Sequence, residues 1–224
     1  MQDETKQQDS PLSAALGLAV GLPWFEIAGN VWKIGRKLMR GLSSEGVYEV
    51  LDYECRLELK DTGGRHASVQ KREKVRYLQD YIATFQDQAW GNGRIFVDYR
   101  CSPGIAVDEY QTGHNTYRLI SLREFKNKGD VDEFNIEWKM TNGFRKSAGF
   151  WGTSINHRTR KVTVKVVFPR RRSPRDVSML ETNLQRTRVL GQQARHNLPD
   201  GRTLIVWEKT NPLLYEDYVL RWEW

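Results

Sequence analysis

The sequence predicts a mainly β protein: an antiparallel β-sandwich, immunoglobulin-like in its later strands, preceded by one amphipathic helical segment. Three observations predict it. From Val47 to Trp224, short stretches alternate apolar and polar residues, with turn residues between them and no helical period. Pro11 to Leu42 is the only stretch with apolar residues at helical spacing. The 224 residues include eight Trp, nine Tyr and eight Phe but only two Cys, so aromatic packing rather than a disulfide framework builds the core. The Cys…Trp…Cys arrangement of immunoglobulin domains is absent, so that comparison concerns architecture alone.

Residues 1–10 are polar and Gln-rich and predict a disordered tail. Residues 11–42 form the helical segment. Leu12–Leu22 is small and apolar, and Pro23 suits a first helical turn. From Trp24 to Arg40 the apolar residues gather on one side. Trp24, Phe25, Ile27, Val31, Trp32, Leu38 and Met39 make the contact face, and Lys33, Arg36, Lys37 and Arg40 lie opposite. Gly41 can close the helix. The uncharged run falls short of the ~20 residues that span a bilayer. Such a helix docks on the β domain, on a second copy, or in a membrane interface, where its cations meet anionic headgroups.

Gly41–Gly46 is the boundary with the β domain at 47–224. Val47–Lys60 alternates, with Val47, Leu51, Tyr53, Cys55, Leu57 and Leu59 on one face. Asp61–Gly64 turns the chain. Ala67–Tyr77 returns, but Lys71-Arg72-Glu73-Lys74 is too polar for a deep core, which predicts an edge or a projecting strand. Leu78–Trp90 fits neither period. Gly91-Asn92-Gly93 predicts a hairpin turn. Arg94–Cys101 follows, with Ile95, Val97, Tyr99 and Cys101 on one face. Ser102-Pro103-Gly104 breaks it before a short strand at Ile105–Tyr110 and a polar loop at Gln111–Thr116. Tyr117–Phe125 and Val131–Met140, joined at Lys126–Asp130, predict a hairpin. The Gly- and aromatic-rich stretch from Gly143 to Gly152 reads as loop, with a short strand at Thr153–Asn156. Lys161–Phe168 is strongly β-branched. Val177–Gln185, Thr187–Leu190, Thr203–Glu208 and Tyr215–Trp224 complete nine to eleven strands, the last with Tyr218, Leu220, Trp222 and Trp224 facing inward.

No phosphate loop, nucleophile elbow or metal-ligand spacing is present among the motifs. Cys101 with His114 could make a Cys–His pair, but a packed cysteine is the commoner arrangement. No cofactor or metal is expected. A net charge of +7 favours anionic partners. It concentrates in Lys33–Arg40 of the helix, in Lys71–Arg76, and above all in the loop holding Arg170, Arg171, Arg172 and Arg175, a candidate anion site. The leading expectation is a non-enzymatic binding or effector module. Its sandwich recognises a protein partner, and its helix mediates self-association or membrane-surface attachment. A nucleic-acid-binding protein using residues 170–175 and an enzyme with a dispersed active site are the alternatives. The first residues lack a basic start, so the expected compartment is the cytoplasm, with the membrane periphery open.

Overall fold

The computed structural model describes residues 46–224. The helix expected at 11–42 and its contact residues lie outside the described residues. Within them are fourteen strands and one short 3-10 turn, Gln192–Ala194. The strands are β1 (Tyr48–Leu59), β2 (His66–Tyr77), β3 (Ile82–Trp90), β4 (Arg94–Ser102), β5 (Ile105–Thr112), β6 (Asn115–Lys126) and β7 (Val131–Thr141). They continue with β8 (Ala148–Ser154), β9 (Lys161–Phe168), β10 (Val177–Glu181), β11 (Arg186–Val189), β12 (Arg195–Asn197), β13 (Thr203–Thr210) and β14 (Asp217–Glu223).

A seven-stranded sheet, in the order β12-β13-β9-β1-β2-β7-β4, forms one layer. A three-stranded sheet, β3-β6-β5, and a four-stranded sheet, β11-β10-β14-β8, cover its inner face. Ring contacts across the layers define the two interfaces. Phe85 of β3 stacks on Phe134 of β7 with centroids 3.9 Å apart. Phe168 of β9 meets Trp222 of β14 edge-on at 5.2 Å, and Trp207 of β13 meets Tyr218 at 5.0 Å. The mainly β, sandwich-like prediction therefore holds. Pairing is mixed rather than purely antiparallel, because β1 runs parallel to β9.

Local features re-aim several predicted faces. The β1–β2 register shifts between Val50 and Asp52, so Tyr48 and Val50 are buried and Leu51 is not. A bulge of this kind flips the parity of every residue on one side of it. In β4 the register with β7 shifts twice, and Phe96 and Asp98 take left-handed backbone conformations. Phe96 thereby turns inward, where alternation had pointed Val97, while Tyr99 still reaches the interior.

Three connections differ from the sequence reading. β6 and β7 do not pair: β6 lies between β3 and β5, and β7 between β2 and β4. Their connector bonds to the end of β2 instead, with Gly129 N donating to Tyr77 O and Tyr77 N to Asp130 O, both at 2.9 Å. That anchorage carries the chain from one layer to the other. Gly91-Asn92-Gly93 is a crossover between layers for the same reason, since β3 and β4 belong to different sheets. Residues 111–116 make a tight hairpin between β5 and β6, not a loop. Part of the stretch read as loop between Gly143 and Gly152 is strand β8.

β2 is the largest correction. It lies inside the seven-stranded sheet, between β1 and β7, and Lys71 and Glu73 point into the core. Its alternation was intact, but two of its inward positions carry charge.

Candidate binding cleft

Alternation places Ala67, Val69, Lys71, Glu73, Val75 and Tyr77 of β2 on one buried face. Lys71 and Glu73 are each 6% exposed, and Asp87 of β3, which meets them, is 0% exposed. Charges at such depth survive only when paired and hydrogen-bonded. Lys71 Nζ lies 2.5 Å from Asp87 Oδ1 and 3.1 Å from Glu73 Oε2. Tyr99 donates its hydroxyl to Asp87 Oδ2 at 3.0 Å, so both carboxylate oxygens of Asp87 are bonded. The double bulge in β4 is what brings Tyr99 to this position. Burial opposes the Lys71 ammonium, but Asp87 and Glu73 outweigh it and raise its pKa. Burial raises the Glu73 carboxyl above its ordinary 4.5, only partly countered by Lys71.

This sets a pH dependence. The folded protein holds the Glu73 proton more tightly than the unfolded chain does. The stability this provides is present below pH 4.5 and is lost as pH rises through the raised folded value. Glu58, Asp61 and Glu181 shift the other way, their hydrogen bonds and neighbouring cations outweighing burial, and act below their ordinary values. Glu73→Gln is expected to flatten the decline in urea midpoint above pH 4.5. An unchanged decline would assign it to another group.

The cluster lies behind a cleft. Cys55 of β1 pairs with Lys71 in register, and the Trp151 indole of β8 lies beside its thiol. Burial pushes the Cys55 thiol up to about 11, and Cys101 is raised for the same reason, so neither is a thiolate at neutral pH. On its other side Trp151 joins the wall of a cleft of about 680 Å³. The cleft follows β8. Four consecutive β8 residues, Ala148 to Trp151, lie in its wall, so both side-chain parities and the backbone border the same space. Among the described residues β8 pairs only with β14, leaving its outer edge open.

Trp90, at the end of β3, stacks on Phe150 of β8 at 5.8 Å. The pair bridges two sheets and remains partly exposed, a rigid apolar platform within the cleft. Gly149 is required beside it: a Cβ there would stand 2.5 Å from the Trp222 ring. The polar rim carries Arg145, Lys146 and Arg221 against Asp176 and Glu223. An open strand edge, an aromatic platform and a mixed-charge rim match the needs of an extended peptide.

No protein-family model matches this sequence, and neither does any curated protein. Some solved structures do. The crystal structure of the M1 zinc metallopeptidase from Deinococcus radiodurans is 12% identical, with a TM-score of 0.48 over 77% of this chain and 42% of that one. A mutant of that enzyme bound to a Tyr-Ser-Ala substrate gives 12% identity and a TM-score of 0.49 over the same shares. The chain thus spans less than half the length of those enzymes. A likeness this distant carries no argument about activity. Among the described residues, no group of three or more His, Cys, Asp or Glu is placed to hold a metal ion, and no helix is long and apolar enough to cross a membrane.

Of the residues singled out in the sequence, the arginine loop is described, and its members part company. Arg172 is drawn inward. Its guanidinium stacks 3.6 Å above the Trp224 ring and donates to Thr62 O at 2.5 Å and Lys146 O at 3.3 Å. Trp224 Nε1 donates to the same Lys146 carbonyl at 2.8 Å. Arg172 therefore clamps Trp224. Arg170 lies along the Gly201 turn, within 3.0 Å of a Cβ position there. Arg170, Arg171 and Arg175 remain exposed. The cleft residues Trp90, Phe150 and Trp151 were not singled out. Their one signal was the density of aromatics among glycines in WGNG and GFWG.

Proposed function

We propose that the protein is a non-enzymatic binding module that takes an extended peptide segment of a partner protein as an added strand on β8. The open β8 edge bordering a cleft with the Trp90–Phe150 platform supports this reading. The backbone of the bound segment extends the β11-β10-β14-β8 sheet, and alternate side chains meet the platform and the charged rim. The amphipathic segment Trp24–Arg40 supplies self-association or attachment to a membrane surface, its apolar face making the contact. Selection from a displayed library of random peptides tests the cleft. The full chain is expected to enrich sequences with an apolar residue at alternate positions. Trp90→Ala with Phe150→Ser is expected to weaken the selected peptides by at least about tenfold, as aromatic anchors do at interfaces. Equal binding by both proteins would remove the cleft from consideration.

A further inference from the structure

The end of the molecule formed by the β10–β11 and β13–β14 connections is built around one buried carboxylate. Glu216 is 2% exposed. It accepts hydrogen bonds from Asn183 N at 2.8 Å, Leu184 N at 3.3 Å and Asp217 N at 3.1 Å. Asn183 Nδ2 in turn donates to Tyr215 O. A third loop joins them: Tyr215 N donates to Ile155 O at 2.6 Å, and Ile155 N to Glu216 O at 2.9 Å. Three backbone donors on one carboxylate offset its desolvation and lock the two turns together.

What this rigid assembly presents is apolar. Leu184, Leu213, Leu214 and Tyr215 are all exposed, Tyr215 to 70% and with a left-handed backbone that a bulky residue adopts only under constraint. A soluble surface without a partner rarely gathers such residues on one projection. Arginines lie on the segments that adjoin these turns: Arg186 opens β11 directly after the first, and the Arg160 carbonyl accepts Asn211 N of the second at 2.7 Å. Arg186 and Arg160 are half-exposed over the buried carboxylates of Glu181 and Glu49, so solvent meets the cation of each pair and not the anion. Arg158, on the loop that bonds Tyr215, is also exposed.

We propose that Leu184 and Leu213–Tyr215 form a tip that inserts into the headgroup region of an anionic lipid bilayer. The tip projects as two reverse turns, so it can enter a deformable layer without a matching groove. Apolar side chains on turns whose adjoining segments carry exposed arginines suit the bilayer's own order, acyl chains below and phosphates above. This surface is separate in sequence from Trp24–Arg40 and does not depend on the peptide-binding reading of the cleft.

The test uses the full chain with Leu214→Cys carrying a nitrobenzoxadiazole label, and labelled wild type to account for Cys101. On phosphatidylserine-containing vesicles the label is expected to shift to the blue and to be quenched by spin labels in the acyl chains. Pure phosphatidylcholine is expected to give a much smaller shift. In a second variant, L213S/L214S/Y215S, the changed side chains are all exposed, and near-ultraviolet circular dichroism checks its fold. Vesicle partitioning of this variant is expected to fall by roughly a hundredfold, the burial of three partly exposed apolar side chains. Vesicle binding with unchanged label emission would place attachment elsewhere and overturn the proposal. So would no vesicle binding at all, including the case in which tip-dependent dimers show that a second copy covers these residues.

Discussion

Lys71→Met is expected to destabilise the folded protein by about 3–5 kcal/mol, the usual cost of removing one partner from a buried ion pair. The substitution keeps most of the side-chain volume, so cavity formation contributes little. What remains is Asp87, fully buried, with one oxygen bonded to Tyr99 and the other facing no cation, beside the Glu73 carboxyl. Urea unfolding monitored by tryptophan fluorescence measures the loss. The triple variant K71M/E73Q/D87N removes all the charge at once. It is expected to recover more than half of the lost stability, because the penalty comes from the unpaired charge and not from the missing attraction. A Lys71→Met cost below about 1 kcal/mol would mean that water reaches the cluster and that its charges are not desolvated.

Trp222→Ala is expected to cost about 3–5 kcal/mol, as other Trp-to-Ala changes in cores do. The ring fills the interface between the four- and seven-stranded sheets, edge-on to Phe168 at 5.2 Å and stacked near Phe144 at 6.0 Å, and it covers Gly149. Trp222→Phe is expected to cost roughly half as much or less, since it keeps a ring in contact with Phe168. The indole N–H is buried without a hydrogen-bond acceptor among the described residues, so losing it carries no penalty of its own. Because Trp222 supports the wall of the cleft, Trp222→Ala is also expected to weaken peptide binding measured well below its unfolding midpoint. Equal destabilisation by Ala and Phe would show that the N–H has a partner.

Much of the β domain was legible because strand periodicity survives burial. β9 reads as a near-continuous β-branched run because it is a central strand flanked by β13 and β1. The closing strand docks as its aromatics imply, with Tyr218, Leu220, Trp222 and Trp224 all buried. The β1–β2 hairpin was visible in Asp61–Gly64, where the Asp61 carboxylate accepts the N–H groups of Arg65 and His66. The fourteen strands exceed the expected number because β3 fits neither period in sequence and β12 is only three residues long.

The candidate cleft was hardly legible at all. Its walls come from residues 90–92, 140–151, 176–178 and 221–223, four segments that no local pattern connects. Arg172 could not be separated from Arg171 by composition, although one clamps Trp224 and the other faces solvent.

The amino-acid sequence by itself determined the fold class, the turn-rich strand organisation and the inward face of most strands, because these depend on alternation within a few residues. Tertiary structure alone decided which strands pair. It carried β6 and β7 into different layers and set β1 parallel to β9. It also placed Lys71 and Glu73 in the core, where a cation and two carboxylates from β2 and β3 meet. Charge at a strand position says only that burial would be expensive. Whether partners elsewhere in the chain offset that expense is settled by contacts between distant residues, and those exist only in the folded state.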